Sequence, residues 1–317
     1  DDLDNTIHDE KLIADRLNKY FAEVGPNLSN NLPPGSRDFS EYLERVDCEF
    51  NFSNITYDAV LRKILKLKSN KGVAPDHISP KLIKDSAEVI APYLSHIFNL
   101  SLLEGIFPDD WKNARVCPIF KSGKRDECTN YRPISILSTI SKIFEKLVFE
   151  QLSRYLTINK ILTDYQSGFR KGFSTCFSLL RTTNEWLVNM DKGLINGVVF
   201  LDLKKAFDTV DHDILIKKLE FYGIKNNTLR WFISYLSHRK QYLSLSHRKQ
   251  VCKVGMSVSN SENIKTGVPQ GSNRGHLLFL LYINDLPKCL DSSVPALFAD
   301  DTNLTISGAT AMEIQIT

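Results

Sequence analysis

Adjacent carboxylates inside a strand pattern constrain this chain more than any other feature. Pro295 to Ile306 reads PALFADDTNLTI, where Asp300 and Asp301 interrupt a run that otherwise reads as buried strand. Two neighbouring charges in apolar surroundings cost several kcal/mol unless something positive compensates them. The pattern predicts strand, two-residue turn, strand over 294–307, and a hairpin turn is where the backbone tolerates Asp and Asn best. Taken alone, an exposed Asp-Asp turn without chemistry satisfies the stretch.

A third aspartate changes the balance. NGVVFLDL (196–203) is a near-continuous apolar run bounded by glycine and charge, which predicts a buried strand ending at Asp202. On its own Asp202 reads as a strand-end residue capping the following helix. With the two strands side by side, Asp202 meets Asp300 and Asp301, and three carboxylates at one spot cannot all stay ionised without cations. Two magnesium ions answer that need, with manganese as the substitute. Magnesium takes one or two carboxylates and completes its shell with phosphate oxygens and water. A metal pair about 3.5–4 Å apart clamps both oxygens of an in-line phosphoryl displacement, as in polymerases and nucleases.

Composition bounds the setting. A chain of 317 residues, 42% hydrophobic and 24% charged, is long enough for one large lobed domain or two smaller ones. Residues 1–60 hold 13 acidic and 5 basic side chains, a balance of −8, which leaves +11 on the remainder of a chain whose total is +3. A basic body suits a polyanionic partner, although a lysine-coated surface explains the charge equally well. The six cysteines, at 48, 117, 128, 176, 252 and 289, show no C-x-x-C spacing and read as reduced residues. The longest apolar run, Leu277 to Ile283, is too short to span a bilayer, and the first residues lack a signal-peptide pattern. No membrane contact is expected, and the setting is expected to be intracellular, nuclear or cytoplasmic. Both ends read as cuts in a longer protein.

Apolar spacing predicts helices over 8–25, closing on Gly25, and over 56–68, capped by Thr56. Further helices are expected over 82–103, broken near Pro92, and over 138–156, 174–192, 212–223, 228–236 and 276–286. ARVCPIF (114–120) predicts a strand, 27–38 and 121–133 loops, and 264–272 a loop opening into a helix. SHRKQ occurs at 237–241 and again at 246–250, a local duplication expected in a hairpin or loop.

Seven motifs in order carry a resemblance. They are APDHISPKLIK, PIFKSGK…NYRPISILSTISKIFEKLV, YQSGFRKGFST, VVFLDLKKAFDTVDH, GVPQGS, LLFLLYINDLP and FADDT. Across roughly 71–307 the chain resembles the reverse transcriptase domain of non-long-terminal-repeat retrotransposons of the jockey type. The resemblance implies an α+β fold: a right-hand polymerase palm, an antiparallel sheet with helices on one face, plus fingers, with the thumb absent. It divides the chain into an N-terminal helical extension (1–70), fingers with part of the palm (71–196) and palm (197–317). It implies an RNA-directed DNA polymerase that joins nucleotides to a primer 3′-OH by two-metal chemistry. The partners would be an RNA template, a DNA primer and dNTPs.

By the same resemblance Asp202, Asp300 and Asp301 are the catalytic and metal-binding acids, with the Leu203 carbonyl in the metal shell. Phe207 would lie under the incoming sugar and exclude a 2′-hydroxyl, which argues against an RNA polymerase; without the flanking match it reads as a core ring. Lys121 and Arg132 would grip the triphosphate, Arg as a bidentate donor and Lys as a point charge. Gln270 and Gly271 would abut the nascent pair. Arg170, Lys171 and the SHRK segments offer cations to nucleic-acid phosphates. The sequence departs from the family at NRGH (273–276), where Asn273 and Arg274 replace apolar residues and His276 replaces proline. With the duplication and the absent thumb, that departure supports the alternative of a degenerate remnant that binds nucleic acid without catalysis.

Overall fold

The computed structural model describes residues 6–33, 37–236, 248–268 and 275–314. Helices and strands are mixed. Helix α1 (Glu10–Asn30) is followed by α2 (Tyr57–Leu65), α3 (Pro80–Asp85) and α4 (Ala87–Glu104), then by a hairpin of β1 (Ala114–Phe120) and β2 (Tyr131–Leu137). Helices α5 (Thr139–Ile158) and α6 (Thr175–Asp191) lead to β3 (Ile195–Asp202). Next come α7 (His212–Phe221), α8 (Asn226–Leu236) and the short strands β4 (Lys249–Val254), β5 (Ser257–Val258) and β6 (Glu262–Asn263). Helix α9 (Gly275–Tyr282) precedes the last hairpin, β7 (Val294–Phe298) and β8 (Asp301–Gly308).

Two sheets result. One runs β2-β1-β4-β5 with β6 also on β4, and the other is antiparallel in the order β3-β8-β7. Helix α6 lies on one face of the second sheet, where Trp186 Nε1 donates to Thr305 Oγ1 at 2.9 Å. The main core gathers the inner faces of α2, α4, α5, α7, α8 and α9. Aromatic rings dominate its centre: Phe98 and Phe144 stack at 4.5 Å, and Phe107 meets Trp231 edge-on at 5.4 Å. This cluster runs from Phe50 to Ile283 and so draws on residues either side of positions 70 and 196. Helix α1 packs instead on β4, β5 and β6, tied by Asn18 Nδ2 donating to the carbonyls of Gln250 at 3.2 Å and Asn260 at 2.8 Å.

Several expectations need correction. Helix α1 runs through Pro26 to Asn30, so 27–30 is helix rather than loop. Gly25 does not end it; a Cβ there would stand 2.1 Å from the Asp208 carbonyl oxygen, so the glycine permits close approach. Helix α4 is continuous through Pro92, and the break falls at Ser86. Pro92 faces solvent while Ala91 and Leu94 are buried, so packing holds the helix across the lost hydrogen bond. The end of the expected 121–133 loop is the start of β2, paired along its whole length with β1. Thr56 caps α2 as expected, its Oγ1 accepting from the Ala59 N–H at 3.3 Å.

Strand β3 is the larger surprise. Its apolar run predicts burial on both faces, yet the strand lies at a sheet edge and Phe200 is 70% exposed. A continuous apolar run does not distinguish a central strand from an edge strand that rests one face on a helix.

Candidate active site

Pairing register assembles the acidic end of the second sheet. Asp202 closes β3, Asp301 opens β8, and the antiparallel ladder sets them directly opposite one another. Directly opposed residues point to the same face with Cβ atoms about 4.5–5.5 Å apart. Phe298 pairs with Asp301, so the two turn residues are Ala299 and Asp300, one position earlier than the sequence suggests. Asp202 and Asp301 are exposed and Asp300 is half-buried, so water rather than burial surrounds these charges. Among the described residues no three His, Cys, Asp or Glu side chains already converge as a metal-ligand set. The donors are nonetheless hard carboxylate oxygens on adjacent strands. Magnesium, which takes one or two carboxylates from a protein, suits such a pair.

The turn after β3 carries the next residues. The Leu203 carbonyl accepts the Ala206 N–H at 3.3 Å, which leaves its second lone pair. Phe207 is half-buried against Phe279 at 4.6 Å and His276 at 5.3 Å, so it is a packed ring in the turn that follows Asp202. His276 stacks on the exposed Phe169 at 3.9 Å, and the proline-to-histidine departure is thereby packed. The GVPQGS loop begins docked on the same turn: the Val268 N–H donates to the Phe207 carbonyl at 2.8 Å and the Gly267 N–H to the Val210 carbonyl at 2.9 Å. Gln270, Gly271, Asn273, Arg274 and the first SHRKQ copy lie outside the described residues.

Cations converge on this turn from the β1–β2 hairpin. Lys121 follows β1, its N–H bonded to the Asn130 carbonyl at 2.8 Å, and Arg132 pairs with Ile119, so the two side chains stand diagonally across the ladder. Both are exposed. Sequence reasoning missed Lys205, whose Nζ donates to the Tyr131 carbonyl at 3.3 Å. Burial holds its ammonium below the usual lysine range, Asp208 opposes that, and the charges of Lys121, Arg132 and Lys204 push further down. Electrostatic reach to those groups makes one cationic cluster from two distant segments. The only signal in the sequence was a pair of lysines directly after Asp202-Leu203.

The remaining cations divide. Arg170 Nη1 donates to the carbonyls of Thr163 at 2.6 Å and Gln166 at 3.0 Å, and its guanidinium lies 4.4 Å from the centre of the Phe173 ring. It staples its own loop, and a phosphate would meet only its other donors. Lys171 is exposed. Arg248, in the second SHRKQ copy, is not a surface cation. It is 6% exposed, donates to the Tyr235 carbonyl at 3.1 Å and stands 4.0 Å from the buried Glu145 carboxylate. Arg248 therefore lies in the core, its charge set against Glu145 on α5.

Residues 119–317 match the family described as reverse transcriptase (RNA-dependent DNA polymerase). Among Drosophila melanogaster proteins, the chain is 35% identical over 232 residues to the probable RNA-directed DNA polymerase from transposon BS, covering 71% of this chain and 24% of that protein. It is 32% identical over 251 residues to the probable RNA-directed DNA polymerase from transposon X-element, covering 78% of this chain and 26% of that protein. It is 30% identical over 314 residues to the RNA-directed DNA polymerase from mobile element jockey, covering 94% of this chain and 32% of that protein. The chain thus spans a quarter to a third of the length of these relatives.

Proposed function

This chain belongs to the reverse transcriptase (RNA-dependent DNA polymerase) family, and from that premise we propose that it carries the nucleotidyl-transfer site of an RNA-directed DNA polymerase from a non-long-terminal-repeat mobile element. In this reading residues 197–317 are palm, built on the β3-β8-β7 sheet, and 71–196 are fingers, with the β1–β2 hairpin facing the palm. One observation supports it most: β3 and β8, from distant parts of the chain, set Asp202 directly against Asp301.

Asp202, Asp300 and Asp301, with the second lone pair of the Leu203 carbonyl, would hold a magnesium pair. When bound, the ions supply positive charge for an in-line displacement at phosphorus. The protein's own groups do the rest. Lys121, Arg132 and Lys205 draw the triphosphate of a dNTP to the hairpin side. Phe207, held by Phe279, leaves no room for a 2′-hydroxyl. Lys171 meets a backbone phosphate of the template–primer hybrid.

A second reading, a chain that binds nucleic acid without catalysis, is favoured by the NRGH departure at 273–276 and the SHRKQ duplication. Primer extension on an RNA template with magnesium and dNTPs separates the two. The catalytic reading expects extension that drops more than about a hundredfold in Asp202→Asn and Asp300→Asn, the scale of removing one preorganised charge-stabilising group. Extension that Asp300→Asn leaves untouched, or none at all from a chain extended toward the length of its relatives, removes that reading.

A further inference from the structure

Ala299, the residue before Asp300, sits at φ +59. A left-handed conformation is unfavourable for alanine, because its Cβ crowds the following carbonyl oxygen. Both peptide groups flanking Ala299 are held by one side chain from a distant segment. Gln166 Oε1 accepts from the Ala299 N–H at 2.9 Å, and Gln166 Nε2 donates to the Ala299 carbonyl at 3.2 Å. The same Oε1 accepts from the Gly168 N–H at 2.7 Å. Gln166 is 2% exposed and Ala299 6% exposed.

The clamp is itself braced. The 165–168 segment bridges β7 in parallel, with the Leu297 N–H donating to the Tyr165 carbonyl at 3.0 Å and the Ser167 N–H to the Leu297 carbonyl at 2.8 Å. Arg170 fixes the Gln166 carbonyl from the other side at 3.0 Å. A Cβ at Gly168 would stand 2.1 Å from the Ala299 nitrogen, so the segment lies against the turn as closely as backbone permits.

The carbonyl that Gln166 Nε2 holds belongs to the Ala299–Asp300 peptide. Its plane sets the direction in which the Asp300 side chain leaves the backbone. We propose that Gln166 is a positioning residue for Asp300: its amide clamps both peptides of Ala299 in the left-handed turn and so aims the Asp300 carboxylate toward Asp202 and Asp301. The side-chain chemistry is specific. The site asks for one acceptor serving two N–H groups and one donor for a carbonyl. A carboxylate supplies no such donor and adds charge beside the acids, whereas methionine keeps the volume and loses every bond. The link to catalysis rests on the polymerase reading; the clamp itself does not.

The test uses the full 317-residue chain with Gln166→Met. Hydrogen exchange at the Ala299 amide is expected to be slow in the parent and to speed up at least about tenfold in the variant, with the middle of β8 unchanged. In single-nucleotide extension kcat is expected to fall about tenfold or more with the dNTP KM held within about twofold, because the lost contact orients a reacting group without binding substrate. Ala299→Gly removes the steric penalty at φ +59, so Gln166→Met is expected to lose less in that background. Unchanged Ala299 exchange overturns the clamp. An unchanged kcat, or a loss undiminished beside Ala299→Gly, overturns its role in aiming Asp300. A parent that extends no primer even when lengthened toward its relatives defeats the polymerase reading instead and leaves the exchange measurement to decide the clamp.

Discussion

Lys205 stands three positions after Asp202 at φ +55, with its ammonium on the Tyr131 carbonyl and its charge crowded by Lys121, Arg132 and Lys204. Crowded cations are relieved by a polyanion, and a triphosphate is the polyanion the proposed chemistry brings. Lys205→Ala is expected to raise the dNTP KM about tenfold, equivalent to about 1.4 kcal/mol, with kcat little changed. Lys205→Arg is expected to restore most of it, and steady-state single-nucleotide kinetics read both. A KM that stays put would show that the ammonium serves only to tie the turn after β3 to β2. Phe207 illustrates the opposite case, since its ring is half-buried by packing beside Phe279.

Beside the broad helical core, the turn after β3 meets its neighbours through two close passages. Helix α1 crosses the turn after β3 at Gly25, where the Asp208 carbonyl leaves no space for a methyl group and Thr266 Oγ1 stands 2.3 Å from the same added Cβ. Gly25→Ala therefore forces helix and turn apart. A loss of about 1–3 kcal/mol is expected, seen as a lower urea midpoint at unchanged slope. If the midpoint holds, the helix shifts freely and does not brace the turn. The β1–β2 hairpin is the other such passage, because the Tyr131 carbonyl accepts from Lys205 Nζ in the turn after β3 at 3.3 Å. Helical periodicity located nearly every helix, whereas β2 begins inside the expected 121–133 loop and its remainder, 134–137, falls in no expected element. Pro133 is tolerated because β2 is an edge strand and Pro118, its partner in β1, lies beyond the three residues that pair with β4.

Packing favours the protonated form of the buried Cys252 and Tyr222 and of the half-buried Tyr155. Burial pushes the Cys252 thiol up to about 12, and raises the Tyr155 and Tyr222 hydroxyls above the usual tyrosine range. In the unfolded chain these groups ionise near their ordinary values of 9.0 and 10.0. Their contribution is therefore complete below those values and is lost as pH rises toward the folded ones. Stability is expected to fall by about 1–2 kcal/mol between pH 8 and 10, with Cys252→Ala flattening part of the drop. Urea midpoints at the two pH values measure it, and a flat profile would mean that solvent reaches these groups. The same burial keeps Cys252 from reacting, while Cys176 and Cys289 are exposed to thiol reagents.

The sequence by itself determined the family, through ordered motifs, and most of the helices, through the spacing of apolar residues along one chain. It also located the three aspartates and the hairpin that carries two of them, because a strand pattern broken by charge is a local signal. Tertiary structure alone decided that β3 is an exposed edge, that Arg248 faces inward to Glu145, that Lys205 joins the cations of the β1–β2 hairpin, and that Gln166 grips Ala299. Each of those facts joins segments far apart in the chain. Periodicity reports which face of an element is apolar, but register and packing choose what that face, or a single amide, finally meets.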